Sequence, residues 1–495
     1  MNGGHETRKL TKIWHYSHYI YNLNNSWSHV PYQLSNLKKV RHVDLSSNYL
    51  EAPNYKKFTP LPSVTYLSLF LNSLVSEFPP FILNCRNLTY IDLSQNTLTG
   101  PIPDSLATNL PSLQYLNLSY NLFSGPIPKS LSNLSRLQEL RIGYNNFTGG
   151  IPTEIGLISN LRALELNNNS LGGQIPASIG QLKMLEQINL NNASLNSTIP
   201  LELGLCSNLN FLDFSINQLR GGLPRAALSG LKKMRLSELL DLRLYNNYLT
   251  NAVPYQLSNL KKVRHVDLSS NYLEAPNYKK FTPLPSVTYL SLFLNNLVSE
   301  FPPFILNCRN LTYIDLSQNT LTGPIPDSLA TNLPSLQYFN LSYNLFSGPI
   351  PKSLSNLYSL QDLRIGFNNF TGGIPTEIGL ISNLRLLELN NNSLGGQIPA
   401  SIGQLKKLEH IDLNNASLNS TIPLKLGLCS NLIFLDFSNN LLQGGLPRAA
   451  LSGLKKMRSS DFGTWPFTID SPQQTRAYST IRKILDVKTN LTSSD

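Results

Sequence analysis

The chain has 495 residues, enough to bury a large core, and only 14% of them are charged, against roughly 25% in ordinary soluble domains. The formal net charge of +11 is compatible with acidic partners and equally with a solvated basic surface. The sequence has no run of about 18 apolar residues, which excludes a membrane-spanning helix within it. It has no Cys-x-x-Cys motif or cysteine–histidine cluster, so no metal site and no cofactor is predicted.

Residues 1–29 do not fit the pattern that follows them. They show no apolar signal-peptide core, so no signal peptide is expected here. They include Trp14, Tyr16 and Trp27, which leaves two interpretations open: an aromatic cap over the first repeat or an ill-ordered leader. We therefore predict an atypical leader or a poor cap for this segment.

From Val30 onward the chain repeats a pattern of about 24 residues, shown most clearly by Leu113–Pro128. This stretch reads Leu-x-x-Leu-x-Leu-x-x-Asn-x-Phe-x-Gly-x-Ile-Pro, whose first nine positions are those of a leucine-rich repeat. Leu116 and Leu118 alternate with polar residues, which predicts a short strand with one buried face. Because one repeat cannot bury that face alone, stacked repeats should form one parallel sheet.

The asparagine that ends each strand is predicted to bond the backbone of neighbouring turns. This predicted asparagine ladder comprises Asn48, Asn72, Asn96, Asn121, Asn145, Asn169, Asn217, Asn247, Asn271, Asn295, Asn319, Asn344, Asn368, Asn392 and Asn440. Alanine replaces it at Ala193 and Ala416, where water or a neighbouring polar group is expected to compensate. Cys85, Cys206, Cys308 and Cys429 recur at one repeat position, too far apart to pair, and are expected to be buried thiols.

A larger duplication is superimposed on the repeats. The first copy, residues 30–235, recurs as residues 253–458 with about fifteen differences, and residues 236–252 form a linking repeat. The predicted fold class is an α/β-type solenoid of about seventeen repeats, a leucine-rich-repeat right-handed superhelix with a continuous parallel sheet on its concave face. Residues 459–495 form a non-repeat tail.

No catalytic residue is predicted. Asp461-Phe462-Gly463 matches the magnesium-holding triplet of protein kinases, but the chain has no Gly-rich loop, strand lysine or catalytic loop before it. Nucleic-acid binding is also not predicted, because the aromatic residues are not interleaved with arginines. We therefore expect a protein that is not an enzyme.

The concave face is the predicted binding surface, because strand residues between the leucines point toward it and many are of hot-spot types. The candidate ligand-binding residues are Tyr66, Phe70, Tyr90, Tyr115, Tyr120, Glu139, Arg141, Tyr144, Glu165, Tyr289, Phe293, Tyr313, Tyr338, Tyr343, Arg364 and Phe367. About six of the fifteen differences between the copies fall on this face. This enrichment favours a surface that specifies partners while the core stays fixed.

Asn-x-Ser/Thr sequons mark possible N-glycosylation if the chain is secreted. They lie at Asn87, Asn117, Asn133, Asn146, Asn168, Asn192, Asn196, Asn310, Asn340, Asn369, Asn391, Asn415 and Asn419. Glycans on strand positions would narrow the usable concave face.

The segments Leu-Thr-Gly-Pro-Ile-Pro (98–103), Phe-Ser-Gly-Pro-Ile-Pro (123–128) and Phe-Thr-Gly-Gly-Ile-Pro (147–152) resemble the plant-specific leucine-rich repeat. From Val30 to Arg458 the chain resembles the ectodomain of plant leucine-rich-repeat receptor-like kinases and receptor-like proteins. The resemblance implies a second short sheet around Gly-x-Ile-Pro, an extracellular or plasma-membrane location, and a peptide, protein or co-receptor partner. The signal peptide, cysteine-paired cap, transmembrane helix and kinase domain of that family are not visible.

Two other interpretations remain open at the level of sequence. One is a secreted inhibitor similar to plant polygalacturonase-inhibiting proteins, which use the same repeat but have cysteine-paired ends. The other is a truncated or duplicated receptor gene fragment without independent function.

Overall fold

The computed structural model describes residues 19–20, 29–30, 32–52, 55–233, 239–444 and 447–456. The predicted tail from residue 459, and most of the leader before residue 30, lie outside this described part. The chain divides into two compact units, Met1–Thr250 and Asn251–Asp495. Each unit is described by itself.

The first unit is built on a parallel sheet with one short strand per repeat. Its strands are β1 (Tyr19–Ile20), β2 (His42–Asp44), β3 (Tyr66–Ser68), β4 (Tyr90–Asp92), β6 (Tyr115–Asn117), β8 (Glu139–Arg141), β10 (Ala163–Glu165), β11 (Gln187–Asn189), β12 (Phe211–Asp213) and β14 (Asp241–Arg243). Consecutive strands pair in parallel with equivalent residues side by side, as in Tyr115↔Glu139. Each strand begins and ends one residue earlier than the leucine pattern predicts, as β6 does at Tyr115–Asn117 instead of Leu116–Leu118. The reason is that the pairing includes the residue that precedes the first strand leucine.

The core lies behind this sheet. Leu116 and Leu118, the two leucines of the predicted strand pattern, are fully buried, as are their equivalents in neighbouring repeats. Replacing one such leucine by alanine typically costs about 2–5 kcal/mol. The stacking of these side chains is therefore the main stabilising interaction between repeats.

In several repeats a second short strand comes after the main-sheet strand along the chain, and these strands form the second sheet that the resemblance implies. In the first unit these strands are β5 (Thr99–Gly100), β7 (Leu122–Pro126), β9 (Asn146–Thr148), β13 (Arg220–Gly221) and β15 (Tyr248–Leu249). They pair in parallel as β5–β7–β9 and β13–β15. Gly125 within β7 has φ of 81°, a backbone conformation that favours glycine.

Helical turns precede the main strands in most repeats and pack against the turns of neighbouring repeats. In the first unit the 3-10 turns are Tyr32–Asn36, Tyr55–Lys57, Pro80–Asn84, Lys129–Asn133, Thr153–Leu157, Ala177–Gln181 and Leu201–Leu205, and the α-helices are α1 (Leu106–Asn109) and α2 (Arg225–Lys233). Most of the 3-10 turns follow a proline, such as Pro128 with φ of −63°, whose ring fixes the entry angle. The longer α2 lies where the repeat spacing increases before the linking repeat.

The second unit uses the same elements at the same spacing. Its main strands are β16 (His265–Asp267), β17 (Tyr289–Ser291), β18 (Tyr313–Asp315), β20 (Tyr338–Asn340), β22 (Asp362–Arg364), β24 (Leu386–Glu388), β25 (His410–Asp412) and β26 (Phe434–Asp436), and its second layer is β19 (Thr322–Gly323), β21 (Leu345–Pro349) and β23 (Asn369–Thr371). Its helical turns are Tyr255–Asn259, Tyr278–Lys280, Ile305–Asn307, Lys352–Asn356, Thr376–Leu380, Ala400–Gln404 and Leu424–Leu428, with α3 (Leu329–Asn332) and α4 (Arg448–Gly453). Within the part of the chain that the structure describes, seventeen main-sheet strands belong to repeats, which confirms the predicted leucine-rich-repeat fold.

The ladder asparagines hold the turn that follows each strand. In every predicted ladder position the side-chain amide donates to the carbonyls two and three residues before it. Most also bridge to the previous repeat. Asn145, for example, donates to the Leu118 carbonyl at 3.0 Å and accepts from the Phe123 N–H at 2.9 Å.

The ladder changes where alanine replaces asparagine. The Ala193 and Leu195 N–H groups both donate to Oδ1 of Asn217 in the next repeat, at 3.1 and 2.9 Å. A neighbouring polar group thus compensates on that side, as expected. On the other side the buried N–H of Leu171 has no acceptor among the described residues, and the same holds for Leu394 beside Ala416. This rung therefore carries an unpaired donor in both units.

The four cysteines are buried free thiols, as expected. Burial raises the pKa of Cys206 and Cys429 to about 11, so these thiols stay protonated at neutral pH. Among the helices of the described ranges, none has both the length and the apolar character needed to cross a bilayer. The same part of the chain contains no group of three or more potential metal ligands.

Candidate functional site

The strand face, meaning the side chains that the main-sheet strands direct away from the core, carries a column of stacked rings. In the first unit His42, Tyr66, Tyr90 and Tyr115 occupy the first position of four neighbouring strands. Their ring centroids are 3.9, 4.2 and 4.1 Å apart and the planes are within 12° of parallel. The predicted candidates Tyr66, Tyr90 and Tyr115 therefore form one continuous feature.

Stacking covers most of the ring faces in this column. Each ring lies over the face of the next, and the Tyr115 hydroxyl accepts from the Asn117 amide at 3.4 Å. Burial raises the pKa of the Tyr66, Tyr90 and Tyr115 phenols, which keeps them protonated. The column is therefore a half-buried row of neutral phenols rather than a set of open apolar ring faces.

Carboxylates beside this column have a structural role. Asp44 accepts from both the N–H and the hydroxyl of Ser46, at 3.0 and 2.6 Å, and Asp92 accepts in the same way from Ser94. These bonds fix the turn that leaves each strand. The recurring Asp at the third strand position is therefore explained by turn formation before any contact with a ligand.

Farther along the first-unit sheet the rings give way to an ion-pair network. Arg141 contacts Glu139 within its own strand at 2.9 Å and Glu165 on β10 at 2.7 Å. Burial raises the pKa of Glu165, and the Arg141 guanidinium opposes that shift. Three predicted candidates therefore come together here as an ion-pair cluster in which one guanidinium serves two carboxylates.

A groove of about 360 Å³ opens next to this network. It is lined by Ser119, Tyr120, Tyr144, Glu165, Asn167, Gln187, Asn189 and Phe211. Three of these residues, Tyr120, Tyr144 and Glu165, were predicted from the sequence. Gln187 and Asn189 were predicted to lie on this face, as positions that differ between the copies, but not to bind a ligand. Ser119, Asn167 and Phe211 were missed, because they are small or amide-bearing or lie outside the aromatic stretch. We call this feature the first-unit groove.

Two aromatic residues form one wall of the first-unit groove. The rings of Tyr120 and Tyr144 stack at 4.1 Å and 11°. Both residues precede a ladder asparagine and have positive φ, 55° and 53°. The neighbouring amides of Asn167, Gln187 and Asn189 supply donors and acceptors, so the groove combines an apolar wall with polar groups, a combination common in ligand sites.

The second unit has the equivalent residues on its own strand face. His265, Tyr289, Tyr313 and Tyr338 stack at 4.0 to 4.2 Å, and Tyr343 stacks on Phe367 at 4.0 Å. Arg364 contacts Asp362 at 2.8 Å and Glu388 at 3.2 Å. Phe70 and its counterpart Phe293 are half-buried two residues after β3 and β17, outside these clusters.

Three of the eight groove positions differ between the units. Tyr144, Gln187 and Asn189 correspond to Phe367, His410 and Asp412. The His410 ring stacks on Phe434 at 4.1 Å, and its Nε2 lies 3.5 Å from Glu388. Burial, together with Asp436 and Glu388, raises the pKa of Asp412 to about 6. The second-unit face therefore contains titratable groups where the first-unit groove has amides.

The predicted sequons fall into two structural groups. Exposed asparagines occur at Asn87, Asn133, Asn146, Asn192, Asn196, Asn310, Asn369, Asn415 and Asn419, whereas Asn117, Asn168, Asn340 and Asn391 are half-buried or buried. The Asn117 amide donates to Asp92 and Ser94 on the neighbouring rung at 3.3 and 3.1 Å. The Asn340 amide makes the equivalent bonds in the second unit.

The repeat architecture agrees with comparisons to known proteins. A model described as "Leucine-rich repeat region" matches residues 104–344, and one described as "Leucine Rich Repeat" matches residues 87–109, 335–357 and 383–405. The chain therefore belongs to the leucine-rich-repeat proteins.

Its relatives narrow the class to plant receptor ectodomains. The chain is 36% identical to Receptor-like protein 53 of Arabidopsis thaliana over 76 residues, which is 15% of this chain and 8% of that protein's length. The crystal structure of a TDR receptor matches 84% of this chain and 70% of its own, at 32% identity and a TM-score of 0.75. The structure of the plant peptide hormone receptor RGFR1 in complex with RGF2 is similar over 92% of this chain and 85% of the receptor chain, at 28% sequence identity and a TM-score of 0.71. The chain is thus a leucine-rich-repeat array of the plant receptor type.

Proposed function

We propose that this chain is a non-catalytic recognition scaffold at the plant cell surface that binds a peptide or protein ligand on its strand face. The observation that carries the proposal is the first-unit groove, where a stacked aromatic wall faces amide groups and one carboxylate. The likeness to a receptor solved with a peptide hormone supports it. A co-receptor ectodomain is the second kind of partner that such an array accommodates.

The groove chemistry favours an extended peptide with at least one apolar side chain. Tyr120, Tyr144 and Phe211 offer apolar surface, and large aromatic residues dominate the binding energy of many interfaces. Asn167, Gln187 and Asn189 carry both donors and acceptors, which suit the amide groups of an extended backbone. Because Arg141 already pairs with Glu165 at 2.7 Å, that carboxylate is only partly available to a basic group on the ligand.

The test is a selection of linear peptides from a displayed random library against the whole chain. Selected peptides are then measured by calorimetry on the wild type and on Phe211→Ala and Tyr120→Ala variants. We expect each variant to weaken binding about thirtyfold, equivalent to a hot-spot loss of roughly 2 kcal/mol.

The matched control is Tyr49→Ala, which removes an exposed tyrosine of the same unit that does not line the groove. This variant should bind as the wild type does. Peptides that lose affinity equally in the control, or keep full affinity without Phe211 and Tyr120, would place recognition elsewhere and refute the groove as the binding site.

A further inference from the structure

Tyr120 and Tyr144 are an unusually accessible pair of stacked phenols. Their side chains are 48% and 43% exposed, and their rings lie 4.1 Å apart with 11° between the planes. Burial raises the pKa of Tyr120, and the Tyr144 hydroxyl adds to that shift. The Tyr120 phenol is therefore protonated at neutral pH, and the two rings lie against each other at the surface.

The backbone keeps the two rings in this arrangement. The Tyr120 N–H donates to the Gly143 carbonyl at 3.0 Å, and the Asn121 N–H donates to the Tyr144 carbonyl at 3.1 Å. The ladder residues Asn121 and Asn145 close the turn behind each ring. Since the backbone is already ordered, bringing the rings together requires little further loss of conformational entropy.

We propose that Tyr120 and Tyr144 form an oxidative cross-linking site, at which a haem peroxidase with hydrogen peroxide joins the two phenols as a dityrosine. Each phenol loses one electron and one proton, and the two radicals form a carbon–carbon bond between ring positions ortho to the hydroxyls. Tautomerisation then moves the hydrogen on each joined ring carbon to the oxygen of the same ring, which restores the two hydroxyl groups. The two electrons and two protons reduce one peroxide to two waters, with cleavage of its O–O bond.

The second unit supplies a natural control for this chemistry. Tyr343 and Phe367 have the same geometry, with centroids 4.0 Å apart, planes at 11°, and exposed fractions of 49% and 36%. Phe367 has no hydroxyl group from which to lose a hydrogen atom. Cross-linking at this position is therefore expected in the first unit and not in the second.

The tyrosine columns are expected to react more slowly. Tyr66, Tyr90 and Tyr115 stack at similar distances but are half-buried, which limits the approach of an oxidant. The same column occurs in the second unit, so it does not distinguish the units. The difference between the units depends on Tyr144 and Phe367 alone, and it does not depend on the proposed ligand-binding function.

The test uses the full chain, made without N-glycans, treated with horseradish peroxidase and hydrogen peroxide and digested with trypsin. Cleavage after Arg86, Lys129, Arg141 and Arg162 releases residues 87–129 and 142–162, and Tyr144 is the sole tyrosine of the second peptide. We expect a joined peptide pair whose mass is two hydrogens below the sum, with fragments that locate the link at Tyr120 and Tyr144. The second-unit peptides 310–352 and 365–385 should not join.

Two reciprocal variants complete the test. Tyr144→Phe should abolish the joined pair, and Phe367→Tyr should create its second-unit equivalent at a similar yield. Each variant introduces a residue that the other unit already carries, and circular dichroism checks that the fold is retained. A wild type without the joined pair, under conditions in which free tyrosine couples, overturns the proposal. When equal amounts of labelled and unlabelled chains are combined, a link within one chain gives no mixed labelled–unlabelled pairs, and a joined product of which about half is mixed also overturns the proposal.

Discussion

Each repeat holds the residue before its ladder position in the left-handed region, and Ile216 is the least suitable residue found there. Ile216 has φ of 53° and a side chain that is 38% exposed, so little packing offsets the steric strain of its branched Cβ. The second unit has Asn439 at this position with φ of 55°. Asparagine adopts this conformation more readily.

We therefore expect Ile216→Asn to raise the free energy of unfolding by roughly 1 kcal/mol. Urea denaturation of the full chain measures the change. The reverse substitution, Asn439→Ile, is the matched control and should lower stability by a similar amount. If both variants unfold at the wild-type midpoint, the backbone strain of a branched residue at this position has no measurable effect on stability.

Asp412 makes a second prediction at the scale of single residues. Its strand neighbours place Glu388 and Asp436 on either side, with His410 on its own strand and Arg364 beyond Glu388. The pKa of Asp412 is about 6 in the folded chain, against 3.8 for a free aspartate. Because the folded state binds the proton more tightly, stability rises as pH falls from about 6 toward 4, and the carboxylate is destabilising above pH 6.

Asp412→Asn should therefore stabilise the chain by about 1 kcal/mol at pH 8, a figure reduced for solvent screening, and should have no effect near pH 4. The amide preserves the bond from the Asn414 N–H, as Asn189 does for Asn191 in the first unit. Denaturation at several pH values measures the effect. The converse variant, Asn189→Asp, should introduce the same pH dependence, and an equal gain at pH 4 and pH 8 would contradict this explanation.

The sequons give a third residue-scale prediction. The side-chain amides of Asn117 and Asn340 bond to the neighbouring rung, so a glycan on either nitrogen is incompatible with the folded sheet. Asn146 and Asn196 are exposed and able to carry one. Glycopeptide mapping of the secreted chain should find glycans at Asn146 and Asn196 and none at Asn117 or Asn340. A glycan on Asn117 in folded protein would show that this part of the strand face is built differently.

At the scale of the repeat, the alanine rung shows what one ladder asparagine contributes. Asn145 accepts from the buried Phe123 N–H, whereas the equivalent Leu171 N–H beside Ala193 has no acceptor among the residues described. Leaving a buried donor unpaired costs about 1–3 kcal/mol. Asn145→Ala should therefore lower the free energy of unfolding by about 2 kcal/mol.

Ala193→Asn tests the same rung in the opposite direction. It supplies an acceptor near Leu171, but Ser194 has φ of 59°, so the turn here differs from the other repeats. We expect a neutral or modestly stabilising effect in thermal unfolding. A melting temperature several degrees below that of the wild type would mean that this turn has no room for the ladder side chain.

The repeat elements were predictable because their cause is local and periodic. Leu116, Leu118 and Asn121 occupy fixed positions in a pattern that recurs every 24 residues or so, and the structure places them in strand, core and turn.

The groove was only partly predictable. Phe211 and Gln187 come together with Tyr144 through the pairing of β8, β10, β11 and β12, and their residue types alone did not mark them. Ring stacking and the pKa of Asp412 likewise depend on distances that no single repeat contains.

At the scale of the whole chain, the duplication has produced two strand faces that differ mainly in one region. Thirteen of the fifteen differences between the copies lie after position 134 of the first copy, whereas the tyrosine columns are identical. Three of the differences fall among only eight groove positions, where chance would place fewer than one. We infer that a peptide selected for the first-unit groove binds once per chain.

This inference predicts a change of stoichiometry. The triple variant Phe367→Tyr, His410→Gln, Asp412→Asn gives the second unit the groove residues of the first, on strands with the same register. Calorimetry with a peptide selected on the wild type should show one site per wild-type chain and two per variant chain, of similar affinity. Adding Phe434→Ala to the variant should remove the second site and leave the first intact. A variant that still binds one peptide would mean that residues beyond these eight positions, such as Asp362 in place of Glu139, decide which unit recognises the ligand.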